Sequence, residues 1–402
     1  MEHCTIIGGG PVGATLACAL ATYGVKSRVV DRAPLQTLVN DTTSDWRAIA
    51  TSPTSQNLLQ ALGIWNLVQE SCLIREVRVI RGGGEETMTF PPSLGDKGVL
   101  GHIIPLSMLR SAIAQRVASF VKEGLIQWVE DSIESIEKTS AFLNVSLKSG
   151  QSFQTALLVG ADGRHSTVRS LGGFEYLQWD YETTAIVCTY AHDNDHQEIA
   201  WEIFLQEGPL ALLPLCHKRS SLVWSLPKDC TEALLNLSDQ DFDDILREKL
   251  SPYLENPCRL GRRWTYPLSV QLVESFFKDN VVLVGDAAHV MHPLAGQGVN
   301  MGFRDIAALT EVITEGTRLG LLPSDPTVLC RYQKWRRFDT LSMIAVTHGL
   351  EGLFSSESQI LRKLAGVGLQ LINHGSIIKQ ILAQDAMGTL GNLPKLLRGK
   401  RI

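Results

Sequence analysis

The chain has 402 residues, which is enough for two or three domains and for a core that encloses a binding site. Apolar residues make up 44% and charged residues 20%, a composition that is typical of folded globular proteins and argues against disorder. The 37 Lys and Arg against 42 Asp and Glu give a net charge of −5, which argues against nucleic-acid binding through a basic surface.

Three features that the sequence lacks bear on the cellular location of the protein. It contains no apolar run of the roughly 18 residues that a membrane-spanning helix needs. Its first residues have neither the basic region nor the cleavage signature of a signal peptide, so we expect none. The 8 cysteines are scattered and form no Cys-x-x-Cys pair, so we expect free thiols and no cysteine metal site. We therefore expect a cytoplasmic protein.

The first 31 residues predict a strand, a glycine-rich turn, a helix and a second strand. An apolar strand over 5–7 precedes the turn, strong helix formers occupy 14–23, and a short strand covers 28–30. This order is the opening βαβ unit of a fold with a parallel sheet.

The turn carries the pattern Gly8-x-Gly10-x-x-Gly13, and Asp31 ends the second strand. The first glycine permits the tight turn, the second lets the backbone approach a pyrophosphate, and the third allows close packing of helix on strand. Asp31 can accept hydrogen bonds from a ribose hydroxyl and disfavours a 2′-phosphate. We predict a dinucleotide site that includes Arg32, and the pattern alone does not choose between FAD and NAD(P).

The middle of the chain predicts short strands in two groups around a few helices. Helices are expected over 53–62, 106–122 and 239–250. The second group of strands has no helix within it, which predicts an antiparallel sheet inserted into the first unit. The expected strands are 77–80, 87–90, 126–129, 143–147 and 153–159, then 183–191, 198–205, 210–215 and 221–226.

Two acidic motifs follow apolar strands. The first is Asp162-Gly163, after a strand that ends at 159, and by itself it indicates only a turn. The second is Gly285-Asp286, after the strand 281–284, which places a carboxylate at the carboxyl edge of a sheet, where open α/β sheets bind ligands.

A glycine-rich loop connects Asp286 to a helix over 299–315. Its glycines let main-chain N–H groups approach a ligand, and the helix N-terminus stabilises negative charge. A reduced flavin is anionic around N1 and the C2 carbonyl oxygen, so the loop suits an isoalloxazine ring. The candidate residues of this loop are Pro293, Gly296, Gln297, Gly298 and Asn300.

The three motifs, in this order, resemble those of the class A flavin monooxygenases, which hydroxylate aromatic rings with one FAD. The resemblance implies that Asp162 lies near FAD and the nicotinamide, and that Asp286 binds the ribitol or ribose of FAD. It also implies that Arg47 lies beside the flavin or its phosphates and that Arg110 contacts FAD. The loop around the pyrimidine edge of the flavin would then comprise Pro293, Gly296 and Gly298.

The whole chain resembles the ubiquinone-biosynthesis hydroxylases of that class. The resemblance rests on residues 208–215, on the long motif 285–305, on the pair Tyr332 and Arg336, and on the end of the chain. His348 departs from the usual pattern of the family, which leaves the ring position open. The resemblance implies FAD, NAD(P)H as co-substrate, and transfer of oxygen from O2, through a flavin C4a-hydroperoxide, to the ring of a polyprenylated phenol.

Two other functions stay open at this stage: a hydroxylase of a small soluble aromatic, and a non-catalytic flavin-binding accessory protein. No side chain is identified as the base that acts on the phenol. His289 and His292 lie three residues apart, but no carboxylate or cysteine at ligand spacing accompanies them, so we expect a structural role and no metal.

These observations predict an α/β fold with a Rossmann-like FAD-binding domain, interleaved with a substrate domain that is mostly an antiparallel sheet. A helical tail over 346–402 has apolar residues at helical spacing and a basic end, as expected of core, of a subunit interface or of membrane-surface attachment. We also expect contact with a quinone-biosynthesis complex or the inner face of the membrane. The predicted limits are 1–76, 97–172 and 277–345 for the FAD-binding domain, and 77–96 and 173–276 for the substrate domain.

Overall fold

A computed structural model describes residues 4–39, 47–81, 85–139, 142–291, 298–355 and 376–402. The strands are β1 (Cys4–Ile7), β2 (Ser27–Asp31), β3 (Ala48–Thr51), β4 (Cys72–Ile74), β5 (Glu76–Arg81), β6 (Glu85–Phe90), β7 (Gly101–Pro105), β8 (Ile126–Glu130), β9 (Ile133–Lys138), β10 (Leu143–Leu147), β11 (Ser152–Thr155), β12 (Leu157–Gly160), β13 (Tyr176–Ala191), β14 (Ile199–Phe204), β15 (Pro209–Leu215), β16 (Arg219–Pro227), β17 (Cys258–Val273), β18 (Phe277–Lys278), β19 (Val281–Leu283) and β20 (His289–Val290). The helices are α1 (Pro11–Thr22), α2 (Leu35–Val39), α3 (Pro53–Ala61), α4 (Leu106–Lys122), α5 (Thr167–Leu171), α6 (Lys228–Leu235), α7 (Asp239–Leu250), α8 (Gly298–Arg318), α9 (Pro326–Ser355) and α10 (Ser376–Ala386).

A six-stranded sheet, in the order β18-β19-β12-β1-β2-β8, forms the first layer. All its strands are parallel except the edge strand β18. The strands β1, β12 and β19 are buried along their whole length, as expected of parallel strands covered on both faces. Helices α1, α4 and α8 share their core.

The register of this sheet brings the three sequence motifs together. Ile7 pairs with Gly160, and Gly160 pairs with Leu283, all in parallel strands. The glycine-rich turn, the Asp162 motif and the Asp286 motif therefore leave neighbouring strands at one edge of the sheet. This is the carboxyl edge, where doubly wound sheets bind their ligands.

The second large sheet has eight strands, in the order β20-β17-β13-β16-β15-β14-β5-β6. Its neighbours are antiparallel except for the parallel pair β14 and β5. On its outer face, Phe242 and Leu246 of α7 pack against Ile186 and Trp224. Its inner face contacts a small sheet of β3, β7 and β4, which belongs to the other layer.

The mixed α/β architecture and the inserted, mostly antiparallel sheet confirm the predicted fold class. One predicted element was wrong: residues 153–159 are two strands rather than one. β11 pairs with β10 in a small antiparallel sheet, whereas β12 belongs to the parallel sheet, and Ala156 separates them. The two strands differ in character, because β11 is mostly polar and partly exposed whereas β12 is apolar and wholly buried. The domain limits stay a prediction.

The end of the chain is partly outside the described residues, which include 298–355 and 376–402. Among the described helices, none is both long and apolar enough to pass through a bilayer. The tail residues 356–375, with most of the predicted apolar stripe, lie outside the described part.

A buried network of charged side chains holds α8 and α9 against the motif at the end of β19. Asp305 on α8 is inaccessible to solvent, and its Oδ2 accepts hydrogen bonds from the Gly285 backbone N–H at 2.8 Å and from His289 Nε2 at 2.7 Å. The other oxygen, Oδ1, accepts from Arg336 Nε at 2.6 Å. Arg336 on α9 also pairs with Asp339. One carboxylate therefore fixes the turn that presents Asp286.

The same network reaches the last helix. Arg304 Nη1 donates to Asp339 Oδ1 at 2.7 Å, and its Nη2 donates to the Asp385 carbonyl oxygen of α10 at 3.3 Å. Burial by itself would raise the pKa of Asp305, but His289 and Arg336 more than offset it and hold that pKa below its usual value. Each buried charge thus has a partner, which is the condition under which burial of charge is tolerated.

Replacing one partner of this network should strongly destabilise the fold. Arg336→Ala leaves Asp305 buried and underpaired, and we expect it to lower the free energy of unfolding by about 3–5 kcal/mol. The matched control is Arg331→Ala on the same helix, whose exposed side chain pairs with Glu315 at 2.8 Å. We expect the control to lose less than about 1 kcal/mol.

Denaturant unfolding followed by tryptophan fluorescence measures both variants. Equal losses in the two variants would contradict the role of the network.

Candidate functional site

The glycine-rich turn brings the ends of β1 and β12 into direct contact. Gly8 has φ +104°, and a Cβ there would lie 2.4 Å from the Ala161 carbonyl oxygen. A Cβ at Gly13 would lie 2.0 Å from the Gly8 carbonyl oxygen. Substitution at either position would therefore displace backbone. Gly10, in contrast, faces open space and has an ordinary backbone conformation, with φ −66° and ψ 179°.

Asp31 ties this turn to β2. Its Oδ2 accepts a hydrogen bond from the Gly9 N–H at 2.6 Å, and its Oδ1 accepts one from the Ala33 N–H at 2.8 Å. The carboxylate is part-buried, so it can still meet a ligand hydroxyl while it holds the turn. Arg32 beside it is exposed. Roles in ribose binding stay a prediction for both residues.

The N-terminus of α1 is open to an anion. Gly10 is its N-cap and Pro11 its first residue, and no side chain caps the free N–H groups there. A depression beside it is lined by Gly10, Leu38, Arg110 and Trp128. Arg110 thus brings a positive charge to the site where the helix dipole also favours negative charge, which suits a pyrophosphate.

Asp162 forms hydrogen bonds at the start of α5. Its Oδ2 accepts hydrogen bonds from the N–H groups of Thr167 at 2.7 Å and Val168 at 3.1 Å. Its Oδ1 accepts one from the Ser166 hydroxyl. The carboxylate therefore caps α5 beside Gly8, and its predicted role near FAD and the nicotinamide is not tested by these contacts.

Asp286 is the free carboxylate of the site. It follows β19, is exposed, and accepts no hydrogen bond from any described residue. Asp286 is exposed, yet the surrounding protein removes enough water from it that desolvation raises its pKa. His289 and Arg164 lower the same pKa and offset this effect only in part. Such a carboxylate in a crevice can accept hydrogen bonds from ligand hydroxyls.

Two glycines bring the N-termini of α1 and α8 close together. A Cβ at Gly285 would lie 3.1 Å from the Val12 side chain, and one at Gly302 would lie 2.6 Å from it. Because both positions lack a side chain, Val12 of α1 packs against the start of α8. Two helix N-termini, each favourable to negative charge, therefore flank Asp286.

The first turn of α8 is anchored by Asn300. This buried side chain accepts a hydrogen bond from the Ser52 N–H at 3.0 Å and donates one to the Ala50 carbonyl oxygen at 2.8 Å. It thereby joins α8 to the end of β3. A Cβ at Gly298 would meet open space. Pro293, Gly296 and Gln297, with His292, lie outside the described residues.

Arg47 connects the two layers. Its Nη1 donates to the Tyr266 hydroxyl at 2.7 Å, and its guanidinium carbon lies 5.1 Å from the centre of the Trp264 ring. Both aromatic residues belong to β17 of the eight-stranded sheet. Sequence reasoning selected Arg47 but not these partners, because their contact depends on how the sheets face each other. Its predicted place beside the flavin stays a prediction.

His289 serves the buried network through Asp305, as expected of a structural histidine. Among the residues that the structure describes, no group of three His, Cys, Asp or Glu side chains could hold a metal ion. The Asp305 and Arg336 pair was missed by sequence reasoning. The available signal was a charged pair, Arg304-Asp305, between apolar residues of the same helix.

Comparisons with known proteins agree with this geometry. The family model described as "FAD binding domain" matches residues 2–318. Ubiquinone hydroxylase UbiL of Rhodospirillum rubrum is 36% identical over 398 residues, covering 98% of this chain and 92% of the relative. The 3-demethoxyubiquinol 3-hydroxylase of Escherichia coli K12 is 30% identical over 390 residues, covering 95% and 97%.

Solved structures show the same fold at low sequence identity. The p-nitrophenol 4-monooxygenase PnpA from Pseudomonas putida has a TM-score of 0.77 and 17% identity, and the match covers 100% of this chain and 99% of that one. The strand-end motifs, the family match and these relatives agree. The chain belongs to the FAD binding domain family and, within it, to the flavin-dependent aromatic hydroxylases of ubiquinone biosynthesis.

Proposed function

We propose that this protein is an FAD-dependent monooxygenase that uses NAD(P)H and O2 to hydroxylate the ring of a polyprenylated phenol on the way to ubiquinone. The observation that carries the proposal is the convergence of three strand-end motifs and two helix N-termini on one crevice, opposite the inner face of the second sheet. The two relatives described above are named as hydroxylases, which favours turnover over a purely accessory role.

The described residues fit FAD. The uncapped start of α1, with Gly10 and Arg110, would hold the pyrophosphate, and Asp31 would bind the adenosine ribose. Asp286 would accept hydrogen bonds from the ribityl chain, and the start of α8 would stabilise charge on the flavin ring. Bound FAD supplies the redox chemistry, taking electrons from NAD(P)H and activating O2. The protein positions the phenol, excludes water and handles its proton.

Gly10→Ala should weaken FAD binding without changing the fold. Alanine fits the backbone conformation of Gly10, and its Cβ would project into the space that the pyrophosphate must approach. We expect the Kd for FAD to rise by about tenfold or more, which is about 1.4 kcal/mol, with an unchanged thermal midpoint of the FAD-free protein. Flavin fluorescence titration and thermal unfolding measure both quantities.

Gly13→Ala is the contrasting variant, since its Cβ would collide with backbone, and we expect it to lose folded protein as well. Unchanged FAD affinity in Gly10→Ala would contradict the placement of the pyrophosphate.

Deletion of the gene should block ubiquinone synthesis at one hydroxylation. We expect a polyprenylated phenol that lacks one ring hydroxyl to accumulate and ubiquinone to fall, as measured by mass spectrometry of lipid extracts. A plasmid copy of the wild type should restore ubiquinone, and the Gly10→Ala copy should restore it poorly. Normal ubiquinone with no accumulated precursor would contradict the proposed function, and the accumulated compound identifies the ring position.

We also propose that the protein meets its lipid-soluble substrate at the inner face of the membrane, alone or within a quinone-biosynthesis complex. The C-terminal helices carry exposed apolar side chains, of which Phe338 on α9 is 78% exposed and Ile381 on α10 is 46% exposed. Co-sedimentation with anionic vesicles should be reduced in Phe338→Ser relative to the wild type. Equal sedimentation of the two proteins would argue against attachment through this face.

A further inference from the structure

The inner face of the eight-stranded sheet can be followed residue by residue. Ala200 on β14 packs with Ile103 of β7, and Ala48 and Ala50 of β3 lie against the same cluster. This side of β14 therefore faces the FAD-binding layer. Because side chains alternate along a strand, Glu202, two residues after Ala200, points to the same side.

A single row of side chains crosses this face at the level of Glu202. Adjacent strands place the following residues side by side in the row: Val79, Glu202, Ala211, Val223, Val187 and Trp264. Ala211 and Val223, in the middle, are small and apolar, and they are only half-buried although they lie between the two layers. The row is therefore the floor of a space that the described residues leave open.

Groups of opposite charge lie towards the two sides of the row. Trp264 lies at one end, with the Arg47 guanidinium against it and against Tyr266. Glu202 lies four strands away, roughly 19 Å at the usual strand spacing. An aromatic ring held over Ala211 and Val223 would thus have the Glu202 carboxylate beside it, with Arg47 at the far end.

Glu202 has no partner among the described residues. No ion pair or hydrogen bond reaches its carboxylate, and its neighbours in the row, Val79 and Ala211, are apolar. The charged residues next along β5 belong to the opposite face, where Arg78 stacks over Trp201 at 5.0 Å and pairs with Glu76. Near this face Arg47 donates to the Tyr266 hydroxyl, Arg262 lies 3.7 Å from the centre of the Trp264 ring, and Arg219 pairs with Glu70 at 2.9 Å.

Desolvation alone raises the pKa of Glu202 to about 7. A carboxylate kept in an apolar floor without a partner costs stability, so its presence calls for a ligand that uses it. A base is most effective when its pKa lies near the working pH. The ring hydroxyl of the proposed substrate is a donor that matches this acceptor.

We propose that Glu202 binds the phenolic hydroxyl of the substrate and accepts its proton. The phenolic O–H bond breaks, an Oε–H bond forms on Glu202, and the electron pair stays on the phenolic oxygen. The added electron density at the ortho and para carbons prepares the ring for attack on electrophilic oxygen. This inference rests on the proposed function, and it names the catalytic base that the sequence leaves unidentified.

The test uses the FAD-loaded full-length protein, NADPH and 2-prenylphenol as the probe, with the product measured by mass spectrometry. Glu202→Gln keeps the shape and removes the base, so we expect kcat to fall by about 100-fold at pH 8, with FAD affinity and thermal midpoint unchanged or improved. The wild-type rate should rise through about pH 7, where Glu202 loses its proton, and Glu202→Gln should lose this rise.

Two further variants separate chemistry from structure. Glu202→Asp retains a carboxylate, so it should keep the pH-dependent rise at a reduced kcat. Glu207→Gln, in the same hairpin, is the matched control, because Glu207 is exposed and pairs with Lys249 at 2.7 Å; it should behave as the wild type. A second readout is the split between kcat and KM: Glu202→Gln should lose kcat while its KM for 2-prenylphenol changes little, because the amide oxygen can still accept a hydrogen bond from the ring hydroxyl.

The outcomes are distinguishable. Turnover by Glu202→Gln with the wild-type kcat and pH profile would overturn the role of Glu202 and leave the proposed function standing. A slow variant that keeps the wild-type rise in rate through pH 7 would assign Glu202 a structural role, which also overturns the inference. No hydroxylation of 2-prenylphenol by the wild type would contradict the proposed function, and the inference with it.

Discussion

The parallel pairing of β1, β12 and β19 is the constraint on which the site depends. Ile7, Gly160 and Leu283 lie in one register across the three strands. The residues that follow them are far apart in sequence, yet they emerge at one edge. The contact of Gly8 with Ala161 and the packing of Val12 against Gly285 and Gly302 then require close approach of backbones. The crevice that would hold FAD lies at this edge because the parallel register brings these residues together there.

The buried network around Asp305 maintains that edge from behind. Bringing several charges out of water is costly, and the cost is offset here by direct pairing of His289, Arg336 and Arg304 with two carboxylates. Directional hydrogen bonds also impose geometry, because Asp305 must meet Gly285 and Arg336 at the same time. The network therefore links the position of Asp286 to α8, α9 and α10.

Whether a feature of this structure can be predicted from the sequence depends on how far apart in the chain the contacting residues lie. The glycine turn and Asp31 are predictable because their spacing expresses contacts within one βαβ unit. The position of Asp286 at the carboxyl edge of the sheet is predictable, because one apolar strand directly precedes it. The contact of Arg47 with Tyr266 and the position of Glu202 between the layers are not predictable, because they depend on how the two sheets face each other. The capping of α5 by Asp162 is local, but an Asp-Gly pair after a strand indicates only a turn.

One measurement tests the central claim directly. The purified protein, loaded with FAD and supplied with NADPH and 2-prenylphenol, is allowed to react under isotopically heavy dioxygen in ordinary water, and the product is analysed by mass spectrometry. The account predicts a ring-hydroxylated product that carries one heavy oxygen atom. A product with oxygen from water, or NADPH oxidation that never yields a hydroxylated ring, would contradict it.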